Sequence, residues 1–364
     1  MSVEPAPIRL ESVQALRGVA ALLVVAVHAT GIWRDIGGGA GLAGPWDRGW
    51  AGVDLFFVIS GFIMVWIATD RPRGAGTAAR CLRDRALRIY PLWWLYCGVM
   101  AAYFLLSYGI PAAPGAAGTE QPVRHFLASM LLWPTDVLPV LGVGWTLTFE
   151  LGFYAVFAVL LWLLPPRLRL WGVWAWGAVI VALWVFPPPG AGWSRGWSGV
   201  LLGPLSLQFV MGAAVAASLR RWRPSAAGGW AALLLGGGVF AAVVVFGARV
   251  EDLAAPGTRT LSLGAAAAGI VAGLVALEQT GRLRVARPMR ALGDMSYTLY
   301  LGHFIGLLVL ARLGFGLGVL PREGAASFVG FALIGTALSV AGAWVAYLML
   351  ERPLVRAVRR RTAA

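Results

Sequence analysis

An arginine and a histidine lie eleven residues apart in an otherwise apolar stretch near the start of the chain. The stretch is ALRGVAALLVVAVHATGIW, residues 15–33, and it contains Arg17 and His28. At about 100° per helical residue, eleven steps come within about 20° of three full turns, so both side chains share one helix face. A rise of about 1.5 Å per residue separates them by roughly 16 Å, around half of a ~30 Å hydrocarbon core. One side chain is therefore expected near a membrane interface and the other deep inside.

Two further polar motifs follow within the next sixty residues. GVDLFFVISGFIM, residues 52–64, places Asp54 at the start of an apolar run, where a carboxylate can also simply cap free helix amides. RDRALRIYPLW, residues 83–93, holds Arg85 and Arg88 three positions apart. Two guanidinium groups on one helix face suit bidentate binding of phosphate oxygens, although they can also serve only to orient the chain in the membrane.

Glu150 lies several residues inside another apolar run, GWTLTFELGFY, which begins beside Trp145. A charged side chain at the centre of a spanning helix costs about 2.5 to 3.5 kcal/mol on insertion scales, so such residues face protein or water. Trp145 is typical of a membrane interface. Glu150 therefore needs a polar partner, and either His28 or an arginine could provide it.

A fifth motif, MSYTLYLGHF at residues 295–304, contains Ser296, Tyr300 and His303 at i, i+4 and i+7. This spacing places the three side chains along one stripe of a helix. Aromatic stripes commonly serve packing, but polar groups inside a span also require hydrogen-bond partners. The motif predicts a buried polar region near His28.

The elements that position these residues must be membrane helices. The chain has 364 residues, of which 59% are hydrophobic and 13% charged, against roughly 25% charged in soluble domains. All 30 basic residues are arginines between apolar segments, which favours a role in topology over nucleic-acid binding. Neither cysteine indicates a disulfide or a metal centre. We expect an all-α, polytopic membrane protein with one membrane-embedded domain over residues 1–364.

Apolar runs bounded by arginine, proline and glycine predict about ten spanning helices. Their expected ranges are 14–34, 51–69, 89–108, 145–164, 170–187, 201–219, 229–247, 261–277, 295–315 and 326–350. The segment 125–143 is apolar but interrupted by prolines and an aspartate, so it is expected to be interfacial or re-entrant.

Arginine counting predicts the orientation of these helices. With the N-terminus inside, 22 of the 30 arginines fall on the cytoplasmic side, which places both termini in the cytoplasm by the positive-inside rule. A cleaved signal peptide is the main alternative for residues 1–30. The mixed charges before the first apolar run favour a retained first helix.

These motifs resemble those of the membrane acyltransferase-3 family, in the same order along the chain. LRGVAALLVVAVH matches its arginine, ten residues, histidine signature, and RALRIYP matches its Arg-x-x-Arg motif. GVDLFFVISGF, GWTLTFELGFY, SYTLYLGHF and the ERPL at 351–354 match further family motifs. Gln14 and Ala15 replace a common Asp-Gly pair, and Leu151 and Gly152 replace a second Glu and a Gln, as in the exopolysaccharide-production branch.

The resemblance implies an acyltransferase of the bacterial inner membrane that uses acyl-CoA, chiefly acetyl-CoA, from the cytoplasm. The implied acceptor is a hydroxyl of an exopolysaccharide or lipid-linked glycan on the far side, with no metal and no nucleic acid involved. Arg17, Arg85 and Arg88 would bind the donor phosphates. His28 would act as the general base or as a transient acyl carrier, with Glu150 orienting its ring.

The resemblance assigns Asp54, Trp145, Ser296, Tyr300 and His303 to substrate or structural support. A proton-coupled transporter or a glycan flippase remains an alternative, because such proteins also bury histidine, glutamate and arginine in their helices.

Overall fold

A computed structural model of the protein describes residues 10–38, 44–109, 121–188, 196–246 and 256–356, and these residues contain helices but no β-strand. The α-helices are α1 Glu11–Ile32, α2 Ala51–Ala68, α3 Ala75–Tyr108, α4 Pro122–Met130, α5 Trp145–Leu163, α6 Pro166–Val185, α7 Trp197–Leu202, α8 Leu207–Arg221, α9 Ala226–Phe246, α10 Pro256–Arg259, α11 Ala265–Gln279, α12 Arg287–Asp294, α13 Ser296–Gly316 and α14 Ala325–Ala346. Short π-helical turns extend α1 and α14, and another joins α10 to α11. The expected all-α membrane architecture is confirmed.

Nine helical stretches in the described residues are long and apolar enough to cross a membrane. The expected span 201–219 is not among them, because Gly203 and Pro204 interrupt the helix between α7 and α8. α8 nevertheless runs alongside α2 over nearly the whole of its length. Gln208, at the start of α8, bonds Asp54, and Arg220, near its end, pairs with Asp70 just beyond α2.

The helix α3 begins fourteen residues earlier than the expected start at residue 89. The stretch from Thr77 to Tyr90 contains no glycine or proline and is rich in alanine, leucine and arginine, which favour helix. The expected 70–88 loop is therefore largely helical. As a result, Arg85 and Arg88 lie within a continuous 34-residue helix and not at its start.

The segment expected to be interfacial or re-entrant forms the nine-residue helix α4 followed by an irregular stretch. Side chains of α3 donate hydrogen bonds to the carbonyl groups at the end of α4. Tyr90 OH donates to Leu131 O at 2.8 Å, and the indole of Trp93 donates to Ser129 O at 3.0 Å. Such pairing is what irregular backbone requires in an apolar setting. The segment does not form a span, and its depth in the membrane stays a prediction.

Both ends of the described chain lie at the same end of the bundle. The carboxylate of Glu278, at the end of α11, accepts hydrogen bonds from the backbone amides of Glu11 and Ser12, the first turn of α1, at 2.8 and 2.9 Å. At the other terminus, Glu351 accepts a hydrogen bond from Thr298 at the start of α13. That this end faces the cytoplasm stays a prediction.

Candidate active site

A cavity lies between α1, α2, α3, α5 and α13. Six of the predicted site residues line it: Arg17, Arg85, Arg88, Glu150, Ser296 and Tyr300. They come from four helices that are distant in sequence. The cavity therefore collects in one place side chains that the sequence could assign only to separate motifs.

The three arginines of the cavity have no carboxylate partner within salt-bridge distance among the described residues. The guanidinium of Arg85 instead lies 5.2 Å from the centre of the Tyr154 ring, in a cation–π contact. Among the described residues of the lining, Glu150 is the only acidic one, so three formal positive charges face one negative charge. This surplus makes the cavity suited to an anion.

Ser296 adds a neutral hydrogen-bonding group to this charged wall. It lines the cavity, is fully buried, and its hydroxyl has no hydrogen-bond partner within the described residues. Ser296 is also the first residue of the 21-residue helix α13, whose amino-terminal end carries a partial positive charge. A buried hydroxyl without a partner is costly, so Ser296 is a position where a ligand atom is expected.

Glu150, which lines the cavity from α5, is held by two hydroxyl groups. Ser60 Oγ donates to its Oε1 at 2.9 Å, and the Tyr154 hydroxyl donates to the same oxygen. The expected contact between Glu150 and His28 is not present, because α5 packs its Glu150 face against α2. The Glu150 carboxylate is instead linked to Arg85 through Tyr154, whose hydroxyl bonds the carboxylate and whose ring lies against the guanidinium.

His28 does not line the cavity and is paired with His303, whose ring lies near the cavity residue Tyr300. His28 Nδ1 is 3.1 Å from His303 Nε2 and 2.9 Å from the carbonyl oxygen of Val24. The ring of Tyr300, which lines the cavity, is 6.1 Å from the His303 ring. The order across the site is thus cavity, Tyr300, His303 and His28.

The position of Tyr300 is fixed by the start of α5. Its hydroxyl donates to Val143 O at 3.0 Å and lies 2.6 Å from the Thr146 hydroxyl. The ring of Phe56 packs edge-on against it at 5.6 Å. Tyr300 and Phe56 therefore form the wall of the cavity on the side of the histidine pair.

Comparison with known sequences identifies the family. An acyltransferase-3 family model, described as an acyltransferase domain, matches residues 10–348. The chain belongs to this acyltransferase family. It is 35% identical to the exopolysaccharide production protein ExoZ of Rhizobium meliloti, over 86% of this chain and 92% of that protein. It is 30% identical to the acyltransferase MdmB of Streptomyces mycarofaciens, over 98% and 94% of the two chains. No solved structure gives a significant match.

The protein is thus a multi-pass membrane acyltransferase that transfers groups other than aminoacyl groups. Among the residues that the structure describes, no group of three or more histidine, cysteine, aspartate or glutamate side chains is placed to hold a metal ion. The polar groups of the cavity and its wall are guanidinium, carboxylate, hydroxyl and imidazole groups.

Asp54 and Trp145 lie outside the polar part of the site. Asp54 is fully buried, accepts from Arg259 Nη2 at 2.9 Å and Nε at 3.0 Å, and also accepts from the Gln208 amide. This bidentate pair joins α2 to α10. Trp145 packs edge-on against Phe57 at 6.2 Å. Asp54 lies on α2 and Trp145 on α5, two of the helices that frame the cavity, and their supporting role stays a prediction.

Several polar residues of the site were not predicted from the sequence, among them Ser60 and Tyr297, which line the cavity. Tyr154 and Thr146 line the cavity, and both belong to the quoted Glu150 motif, where their hydroxyl groups were the available signal. Glu351 of the ERPL motif is buried against Thr298. A carboxylate in that terminal motif is a signal too, but its contact with α13 cannot be read from spacing.

Proposed function

We propose that this acyltransferase moves an acyl group, chiefly acetyl, from cytoplasmic acyl-CoA to a hydroxyl of an exopolysaccharide or related extracytoplasmic glycan. The observation that carries the proposal is the cavity beside a histidine pair, in which three arginines without a carboxylate partner and a Ser296 hydroxyl without a hydrogen-bond partner, both within the described part of the chain, surround one space. The proposal treats residues 1–364 as one membrane-embedded catalytic unit in a bacterial inner membrane.

The charge of the cavity supports a phosphate-bearing donor. Coenzyme A is polyanionic, and guanidinium groups bind phosphate oxygens through paired, charge-assisted hydrogen bonds. In the proposed complex, Arg17, Arg85 and Arg88 bind the phosphates, and Ser296 donates its hydroxyl hydrogen to a phosphate or pantetheine oxygen. The amino-terminal end of α13 adds to the attraction.

The imidazole of His28 supplies the base for the transfer. In the proposed step, His28 takes the proton of the acceptor hydroxyl while the hydroxyl oxygen attacks the thioester carbonyl carbon. The new C–O bond forms, the C–S bond breaks, and the leaving thiolate of coenzyme A takes the proton from His28. The products are an O-acyl ester and free coenzyme A, and the base returns to its neutral form.

Glu150 has a supporting role in this scheme. Its hydrogen bonds to Ser60 and Tyr154 leave it facing the arginine cluster, where one negative charge limits the repulsion between three guanidinium groups. It therefore acts on the donor end of the site and not on the ring of His28. The name of the Rhizobium meliloti relative, an exopolysaccharide production protein, supports a polysaccharide acceptor.

The test is to measure coenzyme A release from acetyl-CoA by the purified protein in proteoliposomes, with and without glycan. The first acceptor is exopolysaccharide of Rhizobium meliloti that has been treated with alkali, because the treatment removes ester groups and exposes free hydroxyl groups. The proposal predicts release that depends on the glycan, together with alkali-labile acetyl groups on it. A transporter or flippase would move solute without releasing coenzyme A, and that outcome would overturn the proposed reaction.

A further inference from the structure

The two imidazoles at the contact between α1 and α13 allow only one arrangement of hydrogens when both rings are neutral. Nδ1 of His303 lies 3.0 Å from the carbonyl oxygen of Leu299, one turn earlier in the same helix. A carbonyl oxygen can only accept, so Nδ1 of His303 carries the hydrogen. Nε2 of the neutral His303 ring is therefore bare and can only accept.

The hydrogen on His28 follows from this assignment. Its Nδ1 has two neighbours, Nε2 of His303 at 3.1 Å and the carbonyl oxygen of Val24 at 2.9 Å. Both neighbours are acceptors, so Nδ1 of His28 must be the donor, and one shared hydrogen serves both. Nε2 of His28 then carries no hydrogen, and it makes no hydrogen bond to any residue that the structure describes.

The surroundings of the pair favour neutral rings. His303 is fully buried, and neither imidazole bonds a carboxylate within the described part of the chain. A buried cation without an ionised partner is strongly disfavoured. The ring of Phe304 packs edge-on against the His28 ring at 5.4 Å, so this neighbour of the pair is apolar.

We infer that His303 is a positioning residue, which accepts the Nδ1 hydrogen of His28 and so presents the bare Nε2 of His28 as the base. The inference deepens the proposed function and rests on it. In serine hydrolases a carboxylate holds the equivalent ring nitrogen. Here a second imidazole takes that place, so it orients the ring without adding a negative charge to the buried site.

This assignment gives His28 and His303 different tasks. The acceptor hydroxyl meets Nε2 of His28, whereas His303 acts on the reaction only through its hydrogen bond with Nδ1 of His28. When His28 takes a proton, its Nδ1 hydrogen bonds more strongly to His303, because hydrogen bonds from a charged donor are about twice as strong. His303 thus stabilises the protonated base without contacting the substrate.

Ring-nitrogen NMR tests the hydrogen positions directly. The chain has three histidines, so protein labelled with ¹⁵N-histidine in lipid bilayers gives three rings, and a His125→Gln variant identifies the one outside the pair. Protonated and bare ring nitrogens have well-separated shifts. We expect His28 and His303 each to show a protonated Nδ1 and a bare Nε2. A protonated Nε2 on either neutral ring would overturn the inference.

Two substitutions of His303 test the positioning role. Leucine fills the space without an acceptor, whereas the side-chain oxygen of glutamine can accept the His28 hydrogen. With acetyl-CoA and the alkali-treated exopolysaccharide, His303→Leu should lower kcat about 10- to 100-fold, the effect of losing one hydrogen bond from a charged donor, with an unchanged KM for acetyl-CoA. His303→Gln should retain most of the turnover.

The outcomes separate this inference from the proposed function. If His303→Leu is as fast as the wild type, or if His303→Gln is as slow as His303→Leu while both remain folded, His303 serves only packing and the positioning role is overturned. Thermal unfolding in detergent shows whether the variants are folded. If the wild type transfers no acyl group at all, the proposed function fails, and the NMR result still decides the hydrogen arrangement.

Discussion

Replacing Arg88 by lysine separates donor binding from membrane orientation, because lysine keeps the positive charge but loses the planar pair of donors. Arg88 lines the cavity on α3 and has no salt-bridge partner among the described residues. The variant should therefore insert with normal orientation, since the positive-inside signal is unchanged. Its defect should appear as weaker binding of acyl-CoA.

The size of the defect follows from the number of hydrogen bonds lost. One charge-assisted hydrogen bond contributes about 1.5 to 3 kcal/mol. At 1.36 kcal/mol per factor of ten, its loss raises the KM for acyl-CoA by about ten- to a hundredfold. Arg85→Lys combined with Arg88→Lys should raise KM further, because Arg85 lines the same cavity.

The assay is the initial rate of coenzyme A release against acetyl-CoA concentration in proteoliposomes, supported by calorimetric binding of coenzyme A without any acceptor. Arg83→Lys is the matched control, since Arg83 lies on α3 but pairs with Asp84 and does not line the cavity. Arg83→Lys should leave KM unchanged. If Arg88→Lys matches this control in both measurements, the arginines only orient the protein and the donor phosphates bind elsewhere.

Three further predictions concern stability and topology. Asp54→Ala should destabilise the protein by up to about 3 kcal/mol, because it leaves the partly buried Arg259 unpaired, and thermal unfolding in detergent should show the double variant with Arg259→Met to be more stable than the single one. Gly212→Ala should cost up to about 3 kcal/mol in the same measurement, because a Cβ there would lie 1.9 Å from the Val58 carbonyl oxygen, and wild-type stability would contradict the α2–α8 packing. In a background without the native cysteines, Arg282→Cys should react with an impermeant thiol reagent only from the cytoplasmic side, and labelling of intact cells from outside would refute the predicted orientation of the bundle.

The helices could be predicted from the sequence where composition alone determines them. The apolar run around Arg17 becomes α1, and the runs that begin at Ala51 and Trp145 become α2 and α5 within a residue of the expected bounds. Prediction was less accurate where charge and apolarity conflict. The hydropathy of the arginines before residue 89 indicates a loop, whereas the intrinsic propensity of arginine favours a helix. The structure agrees with the propensity, since α3 already begins at Ala75.

The assembly of the site could be predicted only in part. Periodicity places Ser296, Tyr300 and His303 along one stripe, and the structure directs the first two into the cavity and the third onto His28. The partner of His28 could not be predicted, because the two histidines are 275 residues apart and meet only when α13 packs on α1. The same holds for Glu150, whose partner Ser60 lies 90 residues away on α2.

The most direct test of the central claim is analysis of the glycan after incubation with ¹³C-acetyl-CoA and protein in proteoliposomes, comparing the wild type with His28→Ala. The wild type should produce an acetyl ester on a glycan hydroxyl, visible by NMR of the isolated glycan. His28→Ala, reconstituted in equal amount and equally stable to heat, should produce it at least about 10² times more slowly, the contribution expected of a general base. Acetylation by His28→Ala at the wild-type rate would contradict the assignment of His28 as the base on which the transfer depends.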